Sequence, residues 1–341
     1  MQNLFVKNEI DEIVAHIKDV EWLRNKSILV TGATGFIGSY LIKVLVSLND
    51  ANDLKLSIYA IARSKEKAQK EDIFDKINWH FCNMSDKIDI SEHIDYIIHT
   101  ASPTDSKGFI NQPVETINQP ISWINNLMEL AIKNKIDGMV FLSSLEVYGV
   151  CVEDKFLSEK DSYKIDCTNI RSSYPEGKRL IECLCCSYAA EYNVPVKIVR
   201  LGQTFGPGIL ASDNRVFAQF ARAIANKEDI VLLTKGETKR SYCSIVDAVL
   251  GIIIALENGK PGIAYNLASD DSYISIYEMA ELFTNGTDSK IRIEEAEHNE
   301  YLETIKFGLD TKAIKAIGFN STKSIKKSIP EFIEYFNDLI K

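Results

Sequence analysis

The chain opens on an amphipathic stretch. Over residues 8–20, Ile10, Ile13, Val14 and Ile17 recur at helical spacing, which predicts a lead-in helix covering the core. Apolar runs follow at Ser27–Thr31, Leu56–Ala62, Asn78–Cys82, Tyr96–Thr100, Met139–Ser143 and Val196–Leu201. These short apolar runs read as strands. Helical stretches lie between them, at Phe36–Leu48, 112–135 and 174–192. Strands alternating with helices predict an α/β fold built on a doubly wound parallel sheet.

After Gly206-Pro207-Gly208 the pattern changes. Helices at 214–226, 244–257 and 275–284 alternate with short strands at Ile230–Leu233 and Ala264–Leu267. This predicts a smaller C-terminal α/β region over the ligand edge of the sheet. No internal repeat or low-complexity segment interrupts the chain. The apolar run Ile245–Leu256 contains Asp247 and is shorter than the roughly 20 residues a bilayer span needs, so it reads as a core helix.

Charge narrows the choice of partners. A net charge of −9 excludes general binding to nucleic acid or anionic membranes, so phosphate ligands must be held by loop amides and individual Arg or Lys residues. Residues 1–26 carry charges throughout and show no secretory pattern. With seven cysteines, an odd number, this points to reduced thiols and a cytoplasmic location. Cys183, Cys185 and Cys186 have no matching C-x2-C pair and read as small apolar residues on a buried helix, not a metal cluster. The five histidines (His16, His80, His93, His99 and His298) show no ligand spacing, and His99 ends an apolar strand, where packing is expected.

The first candidate chemistry is the turn T-G-A-T-G-F-I-G over residues 31–38. Gly32 allows a sharp turn, Gly35 lets backbone approach a pyrophosphate, and Gly38 lets helix pack close to strand. Together with Thr34, Phe36 and Ile37, these glycines are the candidate dinucleotide site of a Rossmann-type fold, with phosphates facing free helix amides. The strand ending at Ala62 carries no carboxylate for a ribose 2′-hydroxyl; Arg63 and Lys65 stand there instead. That leans toward NADP, whose 2′-phosphate they can hold, although Arg63 stacked on adenine would also serve NAD. On this reading the chain divides into a lead-in at 1–26, a dinucleotide-binding unit at 27–205, and a mainly substrate-binding unit at 206–341.

The second is S-S-L-E-V-Y-G (143–149) followed by Y-P-E-G-K (174–178). Tyr174 and Lys178 at i, i+4 share one helix face. An ammonium beside a phenol favours the phenolate, so Tyr174 is a candidate base, with Ser144 holding the same substrate hydroxyl. The set suits removal of a carbinol proton while a hydride passes to nicotinamide.

With these segments and with H-T-A-S-P (99–103), R-S-S-Y-P-E-G-K-R (171–179), R-L-G-Q-T-F-G-P-G (200–208) and K-G-E-T-K-R-S-Y (235–242), the chain resembles the extended short-chain dehydrogenase/reductases of the NAD-dependent epimerase/dehydratase family, and within it the UDP-glucuronate decarboxylases. The resemblance spans about Ser27 to Phe319. It implies Tyr174 as base, Lys178 as its partner and ribose contact, Ser144 as hydroxyl holder, and Glu146 beside the sugar ring. It implies Gln203, Arg215 and Arg240 as contacts to a nucleotide sugar, and Ser102 and Asn118 along the cofactor cleft. It also implies a homodimer paired through the 112–135 and Tyr174 helices.

All branches of that family begin by oxidising the sugar at C4. The 4,6-dehydratases place Asp-Glu where this chain has Leu145-Glu146, and Leu donates no proton. The decarboxylases have the Glu without the Asp, which favours decarboxylation. The family's late Arg before Asp310 is absent, with Lys306 the nearest cation. A 4-epimerase, a 4,6-dehydratase or an NADPH-dependent ketoreductase in surface polysaccharide synthesis stay open, as does a non-catalytic dinucleotide-binding regulator. Intact Ser144, Tyr174 and Lys178 argue against that last reading.

Overall fold

The computed structural model describes residues 2–103, 106–295 and 304–340. His298 lies outside them. Strands run at Ser27–Thr31 (β1), Ser57–Ala62 (β2), Asn78–Phe81 (β3), Tyr96–His99 (β4), Gly138–Ser144 (β5), Lys155–Leu157 (β6), Val196–Leu201 (β7), Gln203–Phe205 (β8), Ile230–Leu232 (β9), Lys239–Ser244 (β10), Ala264–Leu267 (β11), Tyr273–Ser275 (β12), Ile291–Ile293 (β13) and Lys306–Leu309 (β14). Helices run at Gln2–His16 (α1), Phe36–Asn52 (α2), Lys65–Ala68 (α3), Ser106–Asn111 (α4), Pro113–Asn134 (α5), Ser173–Tyr192 (α6), Val216–Ala225 (α7), Ile245–Asn258 (α8), Ile276–Thr284 (α9), Lys312–Ala316 (α10) and Ile325–Ile340 (α11).

Seven parallel strands form the main sheet in the order β11-β7-β5-β4-β1-β2-β3. All residues of β1 are buried, because helices cover both faces. On one face α1, α2 and α8 close a core around Ile13, Leu45 and Ile252; on the other α5 and α6 close one around Leu127, Met128 and Ile181. This is the doubly wound α/β fold expected. The apolar run at 245–256 is a core helix, as read: Ile245, Val249, Ile252 and Leu256 are each at most 1% exposed.

The smaller region departs from the expectation. Ala264–Leu267 is not part of it; that strand extends the main sheet beside β7, where Tyr265 and Leu267 join the main core. The second sheet is β12-β10-β14-β6, with β8 paired to β10, so Lys155–Leu157 from well before Gly206 belongs to it. Helices α7, α9 and α11 pack their apolar faces into a third core around Phe217, Phe283 and Phe332.

The main sheet reverses direction of winding between β1 and β4. In such a fold the crevice beyond the carboxyl ends of the strands at this reversal is where ligands sit. Here those ends carry Gly32, Arg63, Thr100 and Ser144, and β8 and β10 lay Gln203 and Arg240 over them.

Candidate active site

A cleft of about 1770 Å³ runs along these strand ends. At its floor the chain leaves β1 with Gly32 at φ +67°, a conformation that side chains rarely adopt. A Cβ on Gly38 would lie 2.2 Å from the Gly32 carbonyl oxygen, so α2 can begin this close to the turn only with glycine there. Gly35 caps α2 without a side-chain hydrogen bond, leaving the first-turn amides at Phe36, Ile37 and Gly38 open to the cleft. Those amides form a concave donor set that fits a pyrophosphate. Thr34, Phe36, Ile37 and Ser102 all line the cleft. Asn118 does not: it is exposed on α5 and outside the cleft lining.

At the end of β2, Arg63 lines the cleft but Lys65 does not. One turn of α3, capped by the Ser64 hydroxyl accepting from the Lys67 amide at 3.2 Å, brings Lys67 to the cleft in place of Lys65. Arg63 and Lys67 are exposed, and their side chains make no hydrogen bond or ion pair with any described residue.

Ser144, Glu146, Tyr174 and Lys178 come together on the cleft wall, although they lie on β5, the 3-10 turn Leu145–Tyr148 and α6. Lys178 is buried, its Nζ donates to the Leu142 carbonyl at 2.7 Å, and burial brings its pKa down to about 8. The ammonium lies over the Phe141 ring at 4.7 Å and 5.9 Å from the Tyr174 ring centre. The expected lowering of the Tyr174 pKa by the Lys178 ammonium is not seen. Tyr174 is partly covered as a residue, yet its hydroxyl sits deep, and burial pushes its pKa well above the usual phenol value. Glu146 adds to that rise, while Ser144, Arg171 and Arg215 oppose it.

Leu145 packs into a buried cluster with Tyr148 and Phe307, and Glu146 accepts from Arg171 Nη2 at 3.0 and 3.2 Å. Arg171 comes from the 3-10 turn Ile170–Ser172 just before α6, and lies 5.0 Å over the Phe109 ring, which stacks on Tyr174 at 4.4 Å. Neither Arg171 nor Phe109 was given a role from sequence. The spacing of Arg171 three residues before Tyr174 hints at a shared face, but Phe109 carries no local signal.

Beneath this wall Glu182 accepts from the Ser143 hydroxyl at 2.5 Å and from the Nε–Nη2 edge of Arg200, whose Nη1 donates to the Tyr148 hydroxyl at 3.0 Å. The network ties β5, α6 and β7 together under Ser144. His99 packs as expected, against Phe141 and with Nδ1 2.7 Å from the Thr31 hydroxyl, and burial lowers its pKa to about 3.

At the other end Gln203, Arg215 and Arg240 line the cleft. Arg215 is engaged by Asp213 at 2.7 Å, whereas the Arg240 side chain makes no hydrogen bond or ion pair with a described residue. Lys306 is absent from the cleft lining and acts on Asp154 instead, so it does not stand in for the family's late Arg. The Cys183 cluster is also corrected in part: only Cys185 is buried, while Cys183 and Cys186 are exposed. Among the described residues no group of His, Cys, Asp and Glu could hold a metal, and no helix is long and apolar enough to cross a membrane.

The NAD dependent epimerase/dehydratase family matches over residues 28–268, more than half of the chain and all of the cleft up to β11. The chain belongs to this family. The family's relatives include UDP-glucuronic acid decarboxylase 3 of Arabidopsis thaliana, 26% identical over 92% of this chain and 89% of the relative. A UDP-N-acetyl-alpha-D-glucosaminuronate decarboxylase of Bacillus cytotoxicus is 28% identical over 92% of this chain and 98% of its own length. Among solved structures, a UDP-glucose 4-epimerase of Thermotoga maritima superposes with a TM-score of 0.79 at 19% identity, covering 92% of this chain and all of its own. A dTDP-glucose 4,6-dehydratase of Streptomyces venezuelae gives 0.77 at 17% identity, covering 92% and 97%. At these identities the two structures speak for the fold.

Proposed function

We propose that this chain is an NAD(P)-dependent enzyme that oxidises a nucleotide-linked uronic acid at C4 and then decarboxylates it. The observation that carries the reading is the pair Leu145-Glu146 beside Ser144 and Tyr174: a buried leucine that cannot act as an acid, next to a carboxylate held by Arg171. Relatives at 26% and 28% identity bear decarboxylase names.

In this reading 27–205 mainly holds the dinucleotide and 206–341 mainly holds the nucleotide sugar. The α2 amides take the pyrophosphate. Arg63, with Lys67, favours a 2′-phosphate and so NADP, while the glycine turn itself accepts NAD equally. The oxidised nicotinamide supplies a hydride acceptor and a positive charge. Ser144 orients the C4 hydroxyl and Tyr174 takes its proton. Burial holds the phenol protonated, so added positive charge in the cleft is what brings it within reach. Once C4 is a ketone, a carboxylate on C5 is a β-keto acid. Its C5–C6 bond breaks, carbon dioxide leaves, and the electron pair passes to the ketone oxygen as an enolate. C5 then takes up one solvent proton. When the hydride returns to C4, the oxygen recovers the proton kept by Tyr174. Gln203 and Arg240 hold the diphosphate end, and Arg215 does so once Asp213 releases it. The protein works in the cytoplasm as a homodimer paired through α5 and α6.

The test is mass spectrometry of products from UDP-, dTDP-, GDP- and CDP-sugars, uronic acids included, with NAD or NADP. Loss of 44 mass units, in a uronic acid alone, is expected. Loss of 18, gain of 2 or no change would instead mark a dehydratase, a reductase or an epimerase.

A further inference from the structure

The cleft is lined by cations at several places, Lys43 on α2 and Lys235 before β10 among them. Arg63 and Lys67 stand at the end of β2, and Arg215 and Arg240 stand near β8 and β10. Beside the reacting phenol stand Lys178 and Arg171, and Arg215 also acts on it, but Asp213 holds the Arg215 guanidinium at 2.7 Å. Lys178 is buried and spends a donor on the Leu142 carbonyl. Arg171 is different. It is 23% exposed, and Nη2 alone serves Glu146. Its Nε and Nη1 make no hydrogen bond with a described residue. Its plane is steadied by Phe109 at 5.0 Å, and Phe109 is itself stacked on Tyr174. A guanidinium held flat, with one nitrogen on a protein carboxylate, can still take a second carboxylate in a fork through Nη1 and the other N–H of Nη2.

A uronic acid entering this end of the cleft brings a negative charge close to Glu146. Without a shared cation, the two carboxylates repel. We infer that Arg171 is the receptor for the sugar carboxylate: it bridges Glu146 and the C5 carboxylate, and so selects uronic acids over neutral sugars. The assignment rests on the decarboxylase reading above. Lys306 lies off the cleft and does not compete for this role.

The test is calorimetric binding of UDP-glucuronate and UDP-glucose to the protein loaded with NADH, which cannot accept a hydride, so that no turnover intervenes. The wild type is expected to bind the uronate more tightly. Arg171→Met should weaken UDP-glucuronate by on the order of 10- to 100-fold while changing UDP-glucose far less. Arg171→Lys keeps the charge but loses the fork, and should fall between; it carries the test if the Met variant does not fold. A wild type with no preference for the uronate overturns the decarboxylase reading and this inference with it. A wild-type preference that survives in both variants, or an equal loss for both sugars, overturns the role of Arg171 alone.

Discussion

Gly38→Ala tests the close approach on which the dinucleotide turn depends. The added Cβ meets the Gly32 carbonyl oxygen at 2.2 Å and its carbonyl carbon at 2.8 Å, both rigid backbone atoms. Close C···O contacts run at about 3.3 Å, so α2 must back away from β1 by roughly 1 Å. Tyr40, Leu41, Val44 and Leu45 move with it out of the main core. Overpacking of this kind costs about 1–3 kcal/mol. At about 2 °C per kcal/mol for a large domain, Tm falls by roughly 2–6 °C. The α2 amides leave their places too, and weakening one hydrogen bond to a charged group lowers dinucleotide affinity by about tenfold or more. Gly177→Ala is the matched control. Its Cβ meets only Ile117 Cα and the Thr116 carbonyl oxygen, both at 3.8 Å, and it sits within α6. There alanine should be neutral or stabilise by up to about 1 kcal/mol. Thermal unfolding and fluorescence titration with NADH read both effects. A Gly38→Ala protein with unchanged Tm and affinity, or a Gly177→Ala protein that loses as much, refutes the argument.

Tyr174→Phe should abolish turnover and leave dinucleotide binding intact; retained turnover in a product assay removes Tyr174 from the chemistry. Arg63→Ala and Lys67→Ala should each weaken NADP more than NAD, by about tenfold for NADP, whereas Lys65→Ala should change neither; equal losses for the two dinucleotides reject a 2′-phosphate role. Glu9 is buried against Tyr40, Lys323 and Glu331, with Glu12 also on Lys323, and burial raises its pKa from 4.5 to about 7. Because the folded value is the higher one, its contribution to stability is full below pH 4.5 and is lost as pH rises through about 7. Glu9→Gln should therefore flatten the fall of Tm across that window, and a slope equal to wild type would show that Glu9 is not its source.

The inner strands of the main sheet were legible because they leave continuous apolar runs, and β1 and β7 agree with theirs residue for residue; β3, at the sheet edge, is exposed at both ends. The second sheet was not. Its strands β6, β8 and β12 are three residues long, too short for any alternation to register. Helix α11 carries Ile325, Ile329, Phe332 and Phe336 at helical spacing, but Pro330 interrupts the pattern a sequence reader would follow. At the site, spacing along one helix joined Tyr174 to Lys178, and strand-end position joined them to Ser144. The burial that raises Tyr174, and the stack of Arg171, Phe109 and Tyr174, depend on α4 and on a 3-10 turn far apart in sequence. Lys65 and Lys67 differ only by their places on the single turn of α3.

The central claim is that the sugar is oxidised at C4 in this cleft and that the same hydride is returned. A substrate carrying deuterium at C4, taken from the sugars that turn over, tests it most directly. The account predicts slower turnover, and a decarboxylated product that keeps the deuterium at C4 in ordinary water. A product with solvent hydrogen at C4, or with the deuterium moved to another carbon, would contradict it.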